Sequence, residues 1–117
     1  MQRDDSVYVG HMLDTARKAA GKLKGRSRAD YDGDEDLRIV IAHLVQTIGE
    51  AATRVSDQTR NSHPEIPWKQ ITGIRHRIVH DYMDVDYDVL WEVAKGDLPR
   101  LIALLEPMVP PDEAPCP

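Results

Sequence analysis

The sequence predicts a single all-α domain that folds as a bundle of four to five helices. Apolar residues recur at helical spacing along nearly the whole chain, whereas the alternation typical of β-strands is weak everywhere. The length of 117 residues suits one domain, and hydrophobic residues make up 41% of it. Phe is absent, so Leu, Ile, Val and Ala must fill the core.

The first two helices are indicated by apolar stripes. We expect the first helix over residues 5–24, followed by a polar, Asp-rich loop, with Asp34 or Asp36 as the cap of the second helix. The stripe of the first helix comprises Val9, Met12, Leu13, Ala16, Ala19, Ala20 and Leu23. The stripe of the second comprises Leu37, Val40, Ile41, Leu44, Ile48, Ala51, Ala52 and Val55. The small residues at 49–52 suit the close approach of another helix.

Prolines and glycines divide the second half of the chain. Residues 57–67 are predicted to form a connector, and Pro67 suits the first turn of a third helix. The third helix carries Trp68, Ile71, Ile74 and Ile78, and should fray near residues 80–83. Asp84 or Asp86 caps a fourth helix, which the run 96–99 should bend or restart. We expect the helical domain to occupy residues 1–108 and the proline-rich tail 109–117 to be disordered.

Composition and charge exclude several classes of function. The net charge of −5 argues against indiscriminate nucleic-acid binding, although six basic residues and no acidic ones lie between residues 17 and 28. The single cysteine, Cys116, excludes a disulfide framework and any multi-cysteine metal site. No apolar run approaches the ~20 residues of a spanning helix, and the first residues carry no hydrophobic signal region. We therefore expect a cytoplasmic protein with no membrane contact.

The stretch 73–82 concentrates chemically useful side chains. On a continuous helix Arg75 lies at the edge of the apolar face, where its charge needs an anion. That anion is either an intrachain carboxylate or a phosphate in a site shared with a second subunit. His80, near the predicted helix C-terminus and beside Asp81, is either a surface histidine or a group suited to proton transfer near neutral pH.

Other catalytic patterns are weak or missing. His76 and His80 at spacing i, i+4 resemble half of a zinc site, but Arg77 stands where the metalloprotease motif needs Glu. The acidic runs at 30–35 and 84–88 are better explained as helix caps and solvated loops than as calcium loops. No phosphate-binding glycine loop and no serine nucleophile elbow occurs. We therefore predict no metal and no cofactor.

Arg75, four further residues and then His80-Asp81-Tyr82 match the Arg-x4-His-x-Tyr motif of the HepT-like ribonuclease toxins, within the HEPN superfamily of small all-α proteins. Flanking landmarks also resemble that family: IGEAATRVS at 48–56, HPEIPW at 63–68, ITGIR at 71–75 and DLP at 97–99. The resemblance covers roughly residues 5–108 in the right order. One variable position is His76, where many relatives carry Asn.

The resemblance implies a metal-independent endoribonuclease, the toxin of a toxin–antitoxin pair, that forms a homodimer. It implies that Arg75 and His80 of both protomers line one cleft as the catalytic residues, with His76, Arg77 and Asp81 as candidate RNA or interface contacts. It also implies a partner, a small MntA-type nucleotidyltransferase antitoxin that adds AMP to Tyr82. The alternative is a non-catalytic dimeric module that binds such a nucleotidyltransferase.

Overall fold

A computed structural model describes residues 1–81 and 84–109 of the chain. It confirms an all-α bundle, with one small addition of two short β-strands. The elements, in chain order, are α1 (Arg3–Leu23), α2 (Arg28–Asp32), α3 (Glu35–Thr53), α4 (Asp57–Ser62), α5 (Trp68–Thr72), α6 (Ile74–Ile78), β1 (Val79–Asp81), β2 (Asp84–Val85), α7 (Tyr87–Glu92), a π-helical turn (Val93–Asp97), α8 (Leu98–Leu105) and a 3₁₀ turn (Glu106–Met108).

The two long helices, α1 and α3, pack along each other and form the centre of the bundle. Helix α8 covers α1, while α5 and α6 pack on α3. The predicted stripe of α1 is confirmed apart from Ala20, which is half-buried. On α3 the stripe was partly wrong, because Val40 is 38% exposed and Val45 is buried. Asp34 caps α3 by accepting a hydrogen bond from the Leu37 amide at 3.0 Å.

Two segments predicted to lack regular structure are short helices. Residues after Gly25 form α2, where Ser27 and Asp30 make a capping box and Tyr31 is fully buried. The predicted connector contains α4, which is capped by Ser56. The buried Asp5 carboxylate binds this cap, since it accepts hydrogen bonds from Ser56 and from the Thr59 hydroxyl at 2.6 Å. Long-range polar contacts, which sequence periodicity does not report, stabilise both short helices.

The predicted third helix is divided into α5 and α6 at Gly73 and ends at Ile78, earlier than expected. Of the residues predicted to fray, His80 and Asp81 lie on β1, which pairs with β2, while residues 82 and 83 lie outside the described residues. Asp86 caps α7, and the predicted bend at 96–99 is the π-helical turn followed by α8, with Pro99 in its first turn. Val109, assigned to the predicted tail, is buried, and residues 110–117 lie outside the described residues. Within 1–81 and 84–109, no helix is long and apolar enough to cross a membrane.

The small-residue patch 49–52 allows α5 and α6 to approach α3 closely. A Cβ atom at Gly49 would lie 2.7 Å from Ile74 Cγ2 and 2.9 Å from the Ile71 carbonyl oxygen. The patch is therefore used inside the protomer, together with the buried faces of Ile71, Ile74 and Ile78. Ile71, Ile74 and Ile78, together with Ala51 and Ala52 of the patch, belong to the core of one chain.

We predict that Gly49→Ala destabilises the fold by about 1–3 kcal/mol, the usual cost of overpacking a well-packed core. Alanine also improves helix propensity by about 1 kcal/mol. We expect the cost of overpacking to exceed this gain. The matched control is Gly21→Ala on α1, where nothing lies within 4 Å of the added Cβ and stability should rise. Urea unfolding of the three proteins measures both effects. A Gly49→Ala protein as stable as Gly21→Ala would contradict this packing.

Candidate active site

A tight reversal of the chain after α6 builds the candidate site. Strands β1 and β2 are antiparallel, and their register pairs Val79 with Val85 and Asp81 with Asp84. The Asp86 amide donates to the Ile78 carbonyl oxygen at 2.6 Å, which closes the reversal at its base. As a result, the start of α7 lies directly beside the end of α6. Residues six apart in sequence, His80 and Asp86, come into contact there.

The central contact of the site is a hydrogen bond between His80 and Asp86. Nε2 of His80 lies 2.8 Å from Oδ2 of Asp86. The other carboxylate oxygen, Oδ1, accepts the Asp88 and Val89 amides at 3.1 and 3.0 Å and so begins α7. The imidazole is 57% exposed and the Asp86 side chain only 25%. A more enclosed carboxylate therefore holds a ring that remains accessible to solutes.

The carboxylates of this segment favour the protonated form of His80. The hydrogen bond that His80 donates to Asp86 raises the pKa of His80 above its usual value of 6.5, and the charge of Asp84 acts in the same direction. The bond with His80 and the Val89 and Asp88 amides lower the pKa of Asp86 below 3.8. From the sequence, a helix C-terminus and Asp81 were expected to favour the cationic form of His80. In the structure α6 ends at Ile78, His80 lies on β1, and the carboxylates that favour the cation are Asp86 and Asp84.

Arg75 lies on α6, one element before His80. Its neighbours Ile74 and Ile78 are buried and fix the helix against the core, while Arg75 itself is exposed. The Val79 amide donates to the Arg75 carbonyl oxygen and joins α6 to β1. Of the two anions considered for Arg75, an intrachain carboxylate is not supplied by any residue in 1–81 or 84–109.

The remaining residues singled out in this stretch have different environments. Arg77 forms an ion pair with Asp97 of the π-helical turn, at 3.5 Å. His76 is exposed on α6, and Asp81 is exposed on β1. Tyr82 lies outside the described residues, so its proposed role is not tested by the geometry.

The two histidines considered as half of a zinc site lie on different elements. His76 and His80 are not one helical turn apart, because the helix ends between them. In the described parts of the chain, no three His, Cys, Asp or Glu side chains converge as a metal site would require. Asp30, Asp34 and Asp86, from the two acidic runs, serve as helix-capping residues, as expected. What the site offers is an exposed proton-transfer group and an exposed cation on one short segment.

Sequence reasoning missed the role of Asp86 toward His80. Asp86 was identified only as a cap for the following helix. The signal that could have revealed it is the short distance in sequence, since two antiparallel strands this close along the chain bring residues six apart together. The helical spacing assumed for this segment concealed that signal.

Comparisons with known proteins agree with these observations. The family model described as "Ribonuclease HepT-like" matches residues 12–108. A protein of Caldanaerobacter subterraneus subsp. tengcongensis that carries the name of an RNase is 31% identical over 94 residues, 80% of this chain and 84% of that protein. One of Methanocaldococcus jannaschii, also named as an RNase, is 26% identical over 100 residues, 86% of this chain and 92% of the relative. A protein of Thermococcus cleftensis named as a ribonuclease HepT is 33% identical over 72 residues, 62% of this chain and 66% of the relative. No solved structure matches the chain.

We predict that the bond between His80 and Asp86 makes stability depend on pH. Because the pKa of His80 is raised on folding, its contribution is complete below the unfolded value of about 6.5 and is lost as pH rises through the folded value. The Asp86 contribution is lost instead as pH falls below about 3.8, through its lowered pKa. Wild type should therefore exceed His80→Gln in unfolding free energy by more at pH 5.5 than at pH 8.5.

Urea unfolding at both pH values measures this difference. His76→Gln controls for the loss of an exposed histidine that forms no ion pair with another described residue. An equal difference between wild type and His80→Gln at pH 5.5 and 8.5 would show that the His80–Asp86 bond is not formed in solution.

Proposed function

Because the chain belongs to the family of HepT-like ribonucleases and is an endoribonuclease, we propose that Arg75 and His80 are its catalytic residues and that it acts as a toxin in the cytoplasm. The observation that carries this assignment is the α6–β1 segment, which exposes an arginine without an intrachain carboxylate among the described residues and a histidine held by Asp86. The family motif contains both residues.

The chemistry needs one base, one acid and one cation. A neutral imidazole removes the proton of an RNA 2′-hydroxyl, whose oxygen attacks the adjacent phosphorus. The bond from phosphorus to the 5′-oxygen breaks, and an imidazolium supplies the proton that this leaving oxygen requires. The products are a 2′,3′-cyclic phosphate and a free 5′-hydroxyl. Arg75 stabilises the negative charge that builds on the phosphoryl oxygens, which a guanidinium can bind through two hydrogen bonds.

A homodimer supplies the two imidazoles. Each chain holds one His80, so the division into base and acid is met when two protomers place their α6–β1 segments on either side of one cleft. An apolar groove of about 250 Å³ beside α6 supports a dimer surface there. It is lined by Ile71, Ile74, Leu101 and Leu104, with Arg77 and Arg100 among its polar residues. RNA is the substrate of this cleft, and His76, Arg77 and Asp81 are near enough in sequence to contact it or the second protomer.

The proposed antitoxin is a small MntA-type nucleotidyltransferase that modifies Tyr82. In that reaction the phenolic oxygen attacks the α-phosphorus of ATP, pyrophosphate leaves, and the phenol proton is released. The product carries the negative charge and the bulk of AMP two residues beyond His80. Such a group repels the RNA backbone and competes for Arg75, so the nuclease is silenced.

We predict that the purified protein cleaves RNA in the presence of EDTA and leaves 2′,3′-cyclic phosphate ends. His80→Ala should reduce the rate by about 10²-fold or more, because proton transfer is lost. Arg75→Ala should reduce it by about 10²–10³-fold, because transition-state charge is no longer neutralised. Cleavage of a labelled RNA, with mass analysis of the ends, measures these changes.

The matched control is His43→Ala, which removes an exposed histidine of α3 and should leave the rate unchanged. Light scattering of the same samples reports whether the variants remain dimers. Cleavage that EDTA abolishes and a divalent ion restores would overturn the metal-independent mechanism. A dimer that binds the nucleotidyltransferase yet never cuts RNA would identify the non-catalytic binding module instead.

We predict that Tyr82→Phe keeps most of the nuclease activity but escapes the antitoxin. A phenol with a pKa near 10 is a poor proton shuttle at neutral pH, so its loss should not slow cleavage greatly. Intact-mass spectrometry after incubation with the nucleotidyltransferase and ATP should show AMP on wild type and none on Tyr82→Phe. Tyr87→Phe, the same change on a nearby tyrosine, should be modified like wild type. Modification and silencing of Tyr82→Phe would assign the acceptor elsewhere.

A further inference from the structure

We propose that Asp86 is the positioning residue for His80, binding its Nε2–H so that Nδ1 is the nitrogen that exchanges a proton with RNA. This inference rests on the proposed function, since it assigns an atom and a partner to the same histidine. Asp86 itself is not proposed to touch RNA. It acts through the imidazole that it holds.

The contact between His80 and Asp86 fixes which ring nitrogen carries the proton. Oδ2 of Asp86 lies 2.8 Å from Nε2 of His80, and an ionised carboxylate only accepts hydrogen bonds. Nε2 must therefore carry a proton in both the neutral and the cationic ring. The nitrogen that gains and loses its proton is Nδ1. In the neutral ring Nδ1 has a free lone pair and can act as a base, and in the cation it is an acid.

The Asp86 carboxylate is itself fixed in place by backbone hydrogen bonds. Oδ1 of Asp86 accepts the amides of Asp88 and Val89, at the start of α7, and the Asp86 amide donates to Ile78. The carboxylate is thus held from two sides before it meets the ring. A group anchored in this way can fix both the tautomer and the orientation of an exposed imidazole, whereas a free surface carboxylate would lose much of the bond to solvent.

Two carboxylates favour the protonated form of His80: Asp86, through the hydrogen bond, and Asp84, through its charge. Both stabilise the imidazolium that forms when Nδ1 takes a proton from the 2′-hydroxyl. The same carboxylates keep the second imidazole of a dimer in the acid form. Asp84 and Asp86, present in each protomer, therefore stabilise the charged form of both His80 rings of the dimer.

Asp86→Asn separates these roles from the capping of α7. The amide oxygen can still accept the Asp88 and Val89 amides, so α7 should still begin at the same place. The amide nitrogen then faces Nε2 and can only donate, so Nε2 must become the acceptor. The neutral ring is driven into its Nδ1–H tautomer and loses the lone pair that faces RNA. In serine proteases the equivalent change lowers kcat by about 10⁴-fold for the same reason.

The experiment compares wild type, Asp86→Asn and Asp88→Asn as full-length proteins. Asp88→Asn is the matched control, because it removes a carboxylate from the first turn of the same helix that pairs with Arg28 and not with His80. Nitrogen-15 NMR of the histidine rings gives the tautomer and the titration of His80. RNA cleavage in EDTA gives the activity and its pH profile, and urea unfolding reports whether α7 is still capped.

We expect Asp86→Asn to change the neutral His80 ring from the Nε2–H to the Nδ1–H tautomer, to lower its titration midpoint, and to reduce cleavage by about 10²-fold or more. Asp88→Asn should match wild type in all three. Asp86→Asn with an unchanged tautomer and a wild-type cleavage rate would overturn the inference. The tautomer change in Asp86→Asn together with a wild-type protein that cuts no RNA would instead overturn the proposed function, because the contact would exist without the activity.

Discussion

Asp86 connects His80, the start of α7 and the end of α6 through its hydrogen bonds. One of its oxygens begins α7 by accepting two backbone amides, and the other binds His80 at 2.8 Å. Its own amide closes the chain reversal on Ile78. Because these bonds share one residue, the position of the imidazole and the start of α7 cannot vary independently. The candidate active site is therefore a consequence of how the chain turns, and not of a single helix face.

The chain reversal keeps its position because helix α6, which precedes it, is packed on the core. Ile74 and Ile78 are buried against α3, and Gly49 provides the space for this approach. A helix of five residues has little stability of its own, so its position must come from packing. The ion pair between Arg77 and Asp97 also joins α6 to the π-helical turn. Arg75 and His80 thus lie on a short segment that the core holds in place.

The sequence predicted most of the fold because its longest elements have clear periodicity. Apolar stripes and an Asp cap located α1 and α3 to within a few residues. Periodicity failed where tertiary contacts decide the structure, as in α2, where Tyr31 is buried and its hydroxyl donates to the Tyr87 carbonyl oxygen. The family motif pointed to Arg75 and His80 as candidate catalytic residues. The contact of His80 with Asp86 could not be predicted, because the chain reverses direction where a continuous helix was assumed. Tyr82 was chosen by resemblance alone.

The most direct test of the central claim is the pH–rate profile of RNA cleavage by wild type in EDTA, with the His80 titration measured on the same sample. A base and an acid that are both His80 rings predict a bell-shaped profile whose limbs lie near that titration. They also predict that the profile is lost in His80→Ala. A flat profile, or one whose limbs remain in His80→Ala, would contradict the claim that the two His80 imidazoles transfer the protons.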